Sequence, residues 1–156
     1  MSGPARAKPC RTSPKQKVDV MNKIRTEYRG EMLFESTVDG QPLTVDVPAA
    51  MGGSGRGPTP LELFIASLGS CVAALVANYC HNIEIDTGGL SVDVSYSKAD
   101  DPTRLAAVRV DVNLPYGDLR GREQSLLRVA EHCPVGETMC TLENIEFALH
   151  GSGDAR

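Results

Sequence analysis

Apolar and polar positions alternate through the opening of the chain. Val18, Val20 and Ile24 fall on one side of an extended backbone and Asp19, Lys23 and Arg25 on the other, the two-residue period of a half-buried strand. Met32, Phe34 and Val38 continue the alternation, Asp39-Gly40 tolerates the positive φ of a tight turn, and Leu43, Val45 and Val47 return, which predicts a three-stranded meander. From Pro60 to about His81 the period changes. Phe64, Leu68, Cys71, Val72, Leu75 and Tyr79 recur at three- and four-residue steps on one helical face, while Ile65, Val76 and several alanines make other faces apolar too. Thr59 is the predicted N-cap of this helix, with Pro60 at its first position, where a missing N–H costs nothing. A helix apolar on nearly every side of so small a domain needs more cover than one sheet can supply, so a second subunit is expected to provide it.

Beyond the helix, Leu90, Val92, Val94 and Tyr96 alternate, Ala99-Asp100-Asp101-Pro102 turns, and Val108, Val110, Val112 and Leu114 alternate back as a second hairpin. A more polar helix is predicted to start near Asp118 and to bring Leu126, Leu127 and Ala130 to one side. Cys133-Pro134 interrupts it before a short helical segment to about Leu142, and Ile145, Phe147 and Leu149 are predicted to close with a strand. The order βββ-α-ββ-α-β gives an α+β fold of mostly antiparallel strands around a long central apolar helix. The expected division is a flexible basic tail over 1–17, a single domain over 18–150 and a flexible end over 151–156.

With 156 residues, 41% of them hydrophobic and 23% charged, the chain can close one core. Its net charge of −4 hides an asymmetry. Met1 to Lys17 holds five basic residues and no acidic one, leaving 11 basic against 20 acidic residues and a net charge of −9 for the remainder. An acidic body without a basic face argues against a nucleic-acid partner. The tail lacks the apolar run of a secretory signal. The apolar stretch Leu61 to Tyr79 contains Glu62, Ser67, Gly69, Ser70 and Asn78, and reads as a core helix rather than a membrane span. Five cysteines without a secretory signal fit a reducing cytoplasm. Gly52 to Gly57 lacks the lysine and hydroxyl of a phosphate-binding loop and reads as a connector shaping a pocket rim.

Helical geometry limits which cysteines can pair. Along one continuous helix Cys71 and Cys80 would lie about 13 Å apart, and Cys133 and Cys140 about 10 Å, beyond the ~7 Å between Cα atoms that a disulfide spans. An internal disulfide is therefore expected to join the central helix to the region around Cys133. Cys71, between Leu68 and Leu75, has apolar surroundings that alone leave a thiol inert, so its reactivity requires a neighbouring cation. Cys133 can occupy the N-cap of the segment starting at Pro134, where the helix dipole favours thiolate, which makes it the more acidic thiol on local electrostatics. Two plainer readings compete: each cysteine as a small buried hydrophobe, and Cys80-His81 with His132-Cys133 as a zinc site, against which the adjacent ligands are poorly spaced. His150, near the C-terminal glycines, is expected to be solvated.

The segment Gly57-Pro58-Thr59-Pro60-Leu61-Glu62-Leu63-Phe64, followed by Ser67-Leu68-Gly69-Ser70-Cys71, resembles the motif that opens the central helix in the OsmC/Ohr family (osmotically induced protein C and organic hydroperoxide resistance protein). Cys133-Pro134-Val135 is similar to that family's second motif, and the 62 positions separating the two cysteines match its spacing. The resemblance covers Val18 to Leu149. It implies an intertwined homodimer with two active sites at the subunit interface, in each of which Cys71 is the peroxidatic thiol and Cys133 the resolving one. The disulfide they form would be reduced by an external dithiol, such as a lipoyl protein, with no metal, flavin or other cofactor. The family also uses an arginine to hold the first cysteine as thiolate and a carboxylate to orient that arginine. Arg29 is the candidate here, with Arg56 as the alternative, and Glu62 is the candidate carboxylate. In the hydroperoxide-resistance branch the acidic residue stands ten positions before the cysteine, a place held here by Leu61, with Glu62 at nine; one step turns a helical side chain by about 100°. Together with Thr59-Pro60 in place of Asn-Pro, this points to the broader OsmC-like branch. The expected function is reduction of organic hydroperoxides in oxidative or osmotic stress defence, in the cytoplasm, with no nucleic-acid or membrane partner, in a pocket lined by residues such as Phe64 and Leu68. The competing expectation is a non-catalytic small-molecule or thiol-binding module on the same dimeric scaffold.

Overall fold

Antiparallel pairing organises the first part of the chain. The computed structural model describes residues 22–101, 103–141, 145 and 147–148, so Val18 and Val20 of the predicted opening strand lie outside the described residues, as do the whole basic tail and the residues after 148. Strands β1 (Arg25–Gly30), β2 (Leu33–Val38) and β3 (Gln41–Val45) form a meander in that order, but its first strand begins at Arg25, where the sequence placed the end of one, and residues 22–24 carry no regular structure. Asp39 and Gly40 make the second turn at φ of 48° and 78°, as their residue types require. The register sets Tyr28 opposite Phe34, Phe34 opposite Val45 and Ser36 opposite Leu43. One face of the sheet therefore carries Tyr28, Phe34, Leu43 and Val45, and the other carries Glu27, Arg29 and Glu35. The apolar face is only partly covered: Tyr28 and Leu43 are exposed, while Val45 and, beside Leu43, Ser36 are buried.

The central helix α1 (Pro60–Asn82) begins as its sequence predicts, with Pro60 at the first position. The Thr59 hydroxyl accepts from the Glu62 N–H at 3.3 Å, and the Glu62 carboxylate accepts from the Thr59 N–H at 2.7 Å, a reciprocal capping box. Its polar interior residues satisfy themselves along the helix: Ser67 donates to the Phe64 carbonyl and Ser70 to that of Ala66. Leu68, Val72, Val76 and Cys80, four residues apart, form a buried stripe that meets Ile85, Leu126 and Cys133 in the core. By length and composition α1 could cross a membrane; here its stripe is packed into this core, while Phe64 and the face around it stay open.

Strands β4 (Ser91–Asp100) and β5 (Thr103–Asn113) pair as the predicted second hairpin, with Val92 opposite Val112 and Val94 opposite Val110. An isolated two-stranded ribbon is marginal in water, and this one lays its valines against α1. Gly69 permits the approach, because a Cβ there would stand 3.3 Å from a methyl of Val94.

Helices α2 (Glu123–Glu131) and α3 (Pro134–Thr141) complete the described fold. The sequence placed the start of α2 near Asp118. Instead the Asp118 carboxylate accepts from the Arg120 N–H at 3.2 Å, a local turn, and Arg120 and Gly121 take φ of 51° and 74°, which delays the helix by five residues. The predicted closing strand is absent where it can be judged. Ile145 and Phe147 are exposed without regular structure, and Leu149 lies outside the described residues. The architecture is otherwise the α+β arrangement read from the sequence, with antiparallel sheets and a long central helix.

Candidate functional site

Two thiols distant in the chain meet between α1 and α3. Cys71 sits at the edge of the buried stripe of α1, partly exposed, and Cys133 immediately precedes α3 and is 1% exposed. The two thiols are near enough to influence each other's ionisation, and both sulfurs are free. The disulfide expected between the central helix and the Cys133 region is not formed here, since Cys71, Cys80 and Cys133 are all free, although the fold brings Cys71 and Cys133 near each other. Cys140, further along α3, is disulfide-bonded and takes no part in it.

Cys133 is the N-cap of α3. Its carbonyl accepts from the Glu137 N–H at 2.9 Å and its sulfur from the Gly136 N–H at 3.1 Å. The glycine makes room, since a Cβ at position 136 would lie 3.1 Å from that sulfur and 3.6 Å from Leu68 Cδ1. The acidity expected of this position does not follow. Burial pushes the Cys133 thiol up, the Gly136 and Val135 backbone N–H groups pull it back only in part, and the neighbouring Cys71 adds to the rise. Helix-terminal stabilisation is real but smaller than the cost of charging a sulfur with almost no exposed surface.

The candidate arginines lie on the meander and the loop after it. Arg29 projects from the polar face of β1, with Nη2 2.8 Å from both Glu35 Oε1 and Glu27 Oε2. Arg56 is more fully engaged: Nε donates to Asp46 Oδ2 at 2.7 Å, Nη2 to the Glu31 carbonyl at 2.7 Å, and Nη1 reaches Glu31 Oε2 at 3.4 Å. Among the described residues of one chain, no hydrogen bond or ion pair joins either guanidinium to a sulfur. Glu62, the candidate orienting carboxylate, is committed to capping α1, where the Thr59 N–H and hydroxyl hold it below the usual carboxylate range.

Sequence reasoning missed Asp46. Its carboxylate is fully buried and accepts from the backbone N–H groups of Val47, Ser54 and Arg56 as well as from the Arg56 side chain, which holds it far below the ordinary range. The signal was present: an acid stands between Val45 and Val47, just before a glycine-rich loop containing one arginine. Gly53 serves the same knot, because a Cβ there would collide with the Val47 carbonyl and the Asp46 carboxylate.

Cys80 is wholly buried in the core, which pushes its thiol up and fits the role of a small hydrophobe. His132 engages the Arg128 carbonyl through Nδ1 at 2.7 Å. Among the described residues no group of three or more metal-ligating side chains converges. Cys10 and His150 lie outside the described residues. Two open grooves flank α1. One, about 310 Å³, runs between α1 and β4 past Ile65, Gly69 and Val94; the other, about 380 Å³, lies between the apolar face of the meander and the start of α1, past Phe34, Leu43 and Leu63. Neither is lined by a cysteine.

Comparison with known proteins fits this arrangement. The family model described as OsmC-like protein matches residues 53–149. A search of curated proteins finds no match. Among solved structures, an osmotic-stress-induced and detoxification-response protein from Psychrobacter arcticus is similar over 79% of this chain and 91% of its own, at 22% identity and a TM-score of 0.69. An organic hydroperoxide resistance protein, OsmC, from Legionella pneumophila is similar over 78% and 91%, at 20% identity and a TM-score of 0.58. The organic hydroperoxide resistance protein OhrB of Bacillus subtilis is similar over 76% and 90%, at 26% identity and a TM-score of 0.51.

Proposed function

This chain belongs to the OsmC-like protein family, and from that premise we propose that it is a thiol-dependent peroxidase that reduces organic hydroperoxides through Cys71 and Cys133. The observation that carries the reading is the approach of these two thiols, 62 positions apart in the chain, to within interaction distance of each other. Cys71, the more accessible sulfur, attacks the peroxide as thiolate, the O–O bond breaks, alcohol leaves and a sulfenic acid remains. Cys133 condenses with it, releasing water and forming a disulfide that an external dithiol reduces. The description of OhrB as an organic hydroperoxide resistance protein supports this substrate class.

The thiolate requires a cation. Arg29 is the better candidate of the two, because Arg56 is held on three sides by Asp46 and Glu31 while Arg29 engages its carboxylates through one nitrogen. Glu35 then takes the orienting role, and Glu62 caps the helix. In one chain Arg29 touches neither sulfur, and the apolar face of the meander and part of α1 lie open. Both facts support a homodimer in which the meander of one copy covers the helix of the other and completes its site. A reducing compartment such as the cytoplasm would keep the dithiol supplied.

Consumption of cumene hydroperoxide with a small dithiol as reductant tests the reading. Cys71→Ser should abolish turnover; a variant that turns over at the parent rate would end the proposal. That neither described arginine candidate bonds a sulfur within one chain favours a second reading, a non-catalytic module that binds a small molecule or thiol on the family scaffold. It requires Cys71 to survive excess hydroperoxide unchanged.

A further inference from the structure

Helix α3 starts with a sulfur where a hydroxyl or carboxylate usually stands. An N-cap side chain accepts from the backbone N–H of the second or third helical residue, and the Cys133 sulfur accepts from Gly136, the third. A neutral thiol or disulfide sulfur is a weak acceptor, whereas an anionic one is strong. The Gly136 N–H therefore gains most when charge develops on Cys133, which is the condition for stabilising a transition state over its ground state.

Access to the two sulfurs is unequal. Cys133 is 1% exposed and lies in the core cluster with Leu68 and Val72, while Cys71 is partly exposed at the cluster's edge. An external thiolate has to reach the sulfur it attacks.

We propose, building on the peroxidase reading above, that the reducing dithiol attacks Cys71 and that Cys133 departs as a thiolate received by the Gly136 N–H. One thiolate of the dithiol forms an S–S bond to Cys71 as the Cys71–Cys133 bond breaks and its electron pair passes to Cys133. The second thiolate of the dithiol attacks the first, closing the reductant's own disulfide and expelling Cys71. The dithiol loses two electrons and two protons, and the two cysteines recover them. Position 136 is glycine because the departing sulfur rests against its backbone: any Cβ there stands 3.1 Å from Cys133 Sγ.

The test has two arms. In the first, full-length protein oxidised with diamide to the Cys71–Cys133 disulfide is treated with 2-mercaptoethanol, quenched in acid during the first turnover and mapped by mass spectrometry. The expected adduct is on Cys71 with Cys133 free; an adduct on Cys133 with Cys71 free overturns the proposal. In the second, Gly136→Ala is compared with Gly136→Pro. Both add a Cβ, only proline removes the N–H, and this N–H belongs to the first helical turn, where it has no helical partner to lose. Reduction of the disulfide should be about tenfold slower in the proline variant than in the alanine variant, while the rate of Cys71 oxidation by hydroperoxide is equal in both. Equal reduction rates overturn the role of the N–H, and if the proline variant does not fold the adduct map decides alone. Loss of the peroxidase reading has its own signature, namely Cys71 left unoxidised by hydroperoxide while the diamide-formed disulfide still opens at Cys71.

Discussion

Arg56 Nε donates to Asp46 Oδ2 at 2.7 Å, and the carboxylate that receives it has no exposed surface. This pair, with the Ser54 and Arg56 backbone N–H groups, folds the glycine-rich loop back on the end of β3, and through Nη2 of Arg56 it also grips the Glu31 carbonyl in the turn that follows Arg29. The knot thus ties the glycine-rich loop to two parts of the meander, the end of β3 and the β1–β2 turn.

A pH dependence of stability follows. The Arg56 side chain is the chief reason that Asp46 ionises, in the folded state, well below the ordinary carboxylate range. A depressed carboxylate stabilises the fold fully above about pH 5, and that stabilisation is lost as pH falls below about 4 toward the folded value. Asp46→Asn should lower Tm by roughly 5–10 °C at neutral pH, and the deficit should narrow between about pH 5 and pH 3. Thermal unfolding across that range measures it; a deficit independent of pH would contradict the account.

The two arginines should separate cleanly. Arg29→Ala should slow oxidation of Cys71 by hydroperoxide by about tenfold or more, because the charge developing on the reacting sulfur loses its cation. Arg56→Ala should instead lower Tm, since it strands the buried Asp46 carboxylate. Stopped-flow oxidation kinetics paired with thermal melts distinguish the outcomes, and reversed roles would move the activating cation to Arg56.

Glu62 should behave as a cap. Thr59→Ala should cost about 1 kcal/mol of stability by urea denaturation, and Glu62→Gln, which keeps a carbonyl acceptor for the Thr59 N–H, should cost less. Neither should alter the rate of Cys71 oxidation. A large loss of that rate in Glu62→Gln at unchanged stability would restore the carboxylate to the reaction.

Much of this was legible in the sequence because local rules agreed with tertiary ones. Alternating valines marked the β4–β5 hairpin, and Thr59, Pro60 and the apolar run marked α1 from its cap onward, but the buried face was misread: Val76 and Cys80 are buried with Leu68 and Val72, while Phe64 is exposed. The start of α2 was misplaced because Asp118 has two local options, helix cap and turn, and Gly121 tips the choice. The meeting of Cys71 with Cys133 was expected, and so was the N-cap position of the latter. The acidity of Cys133 was misjudged because burial is a property of the packed core, invisible in Cys133-Pro134 alone. Asp46 escaped notice because its pairing with Arg56, ten positions on, and with three backbone N–H groups depends on how the glycine-rich loop folds back.

The central claim is that Cys71 and Cys133 act as one redox pair. Reduced full-length protein given one equivalent of cumene hydroperoxide, alkylated and mapped by mass spectrometry, should yield a peptide pair joined through Cys71 and Cys133, and Cys133→Ser should instead leave Cys71 as a sulfenic acid that a dimedone-type reagent captures. Both cysteines recovered alkylated and unoxidised after excess hydroperoxide would contradict the account.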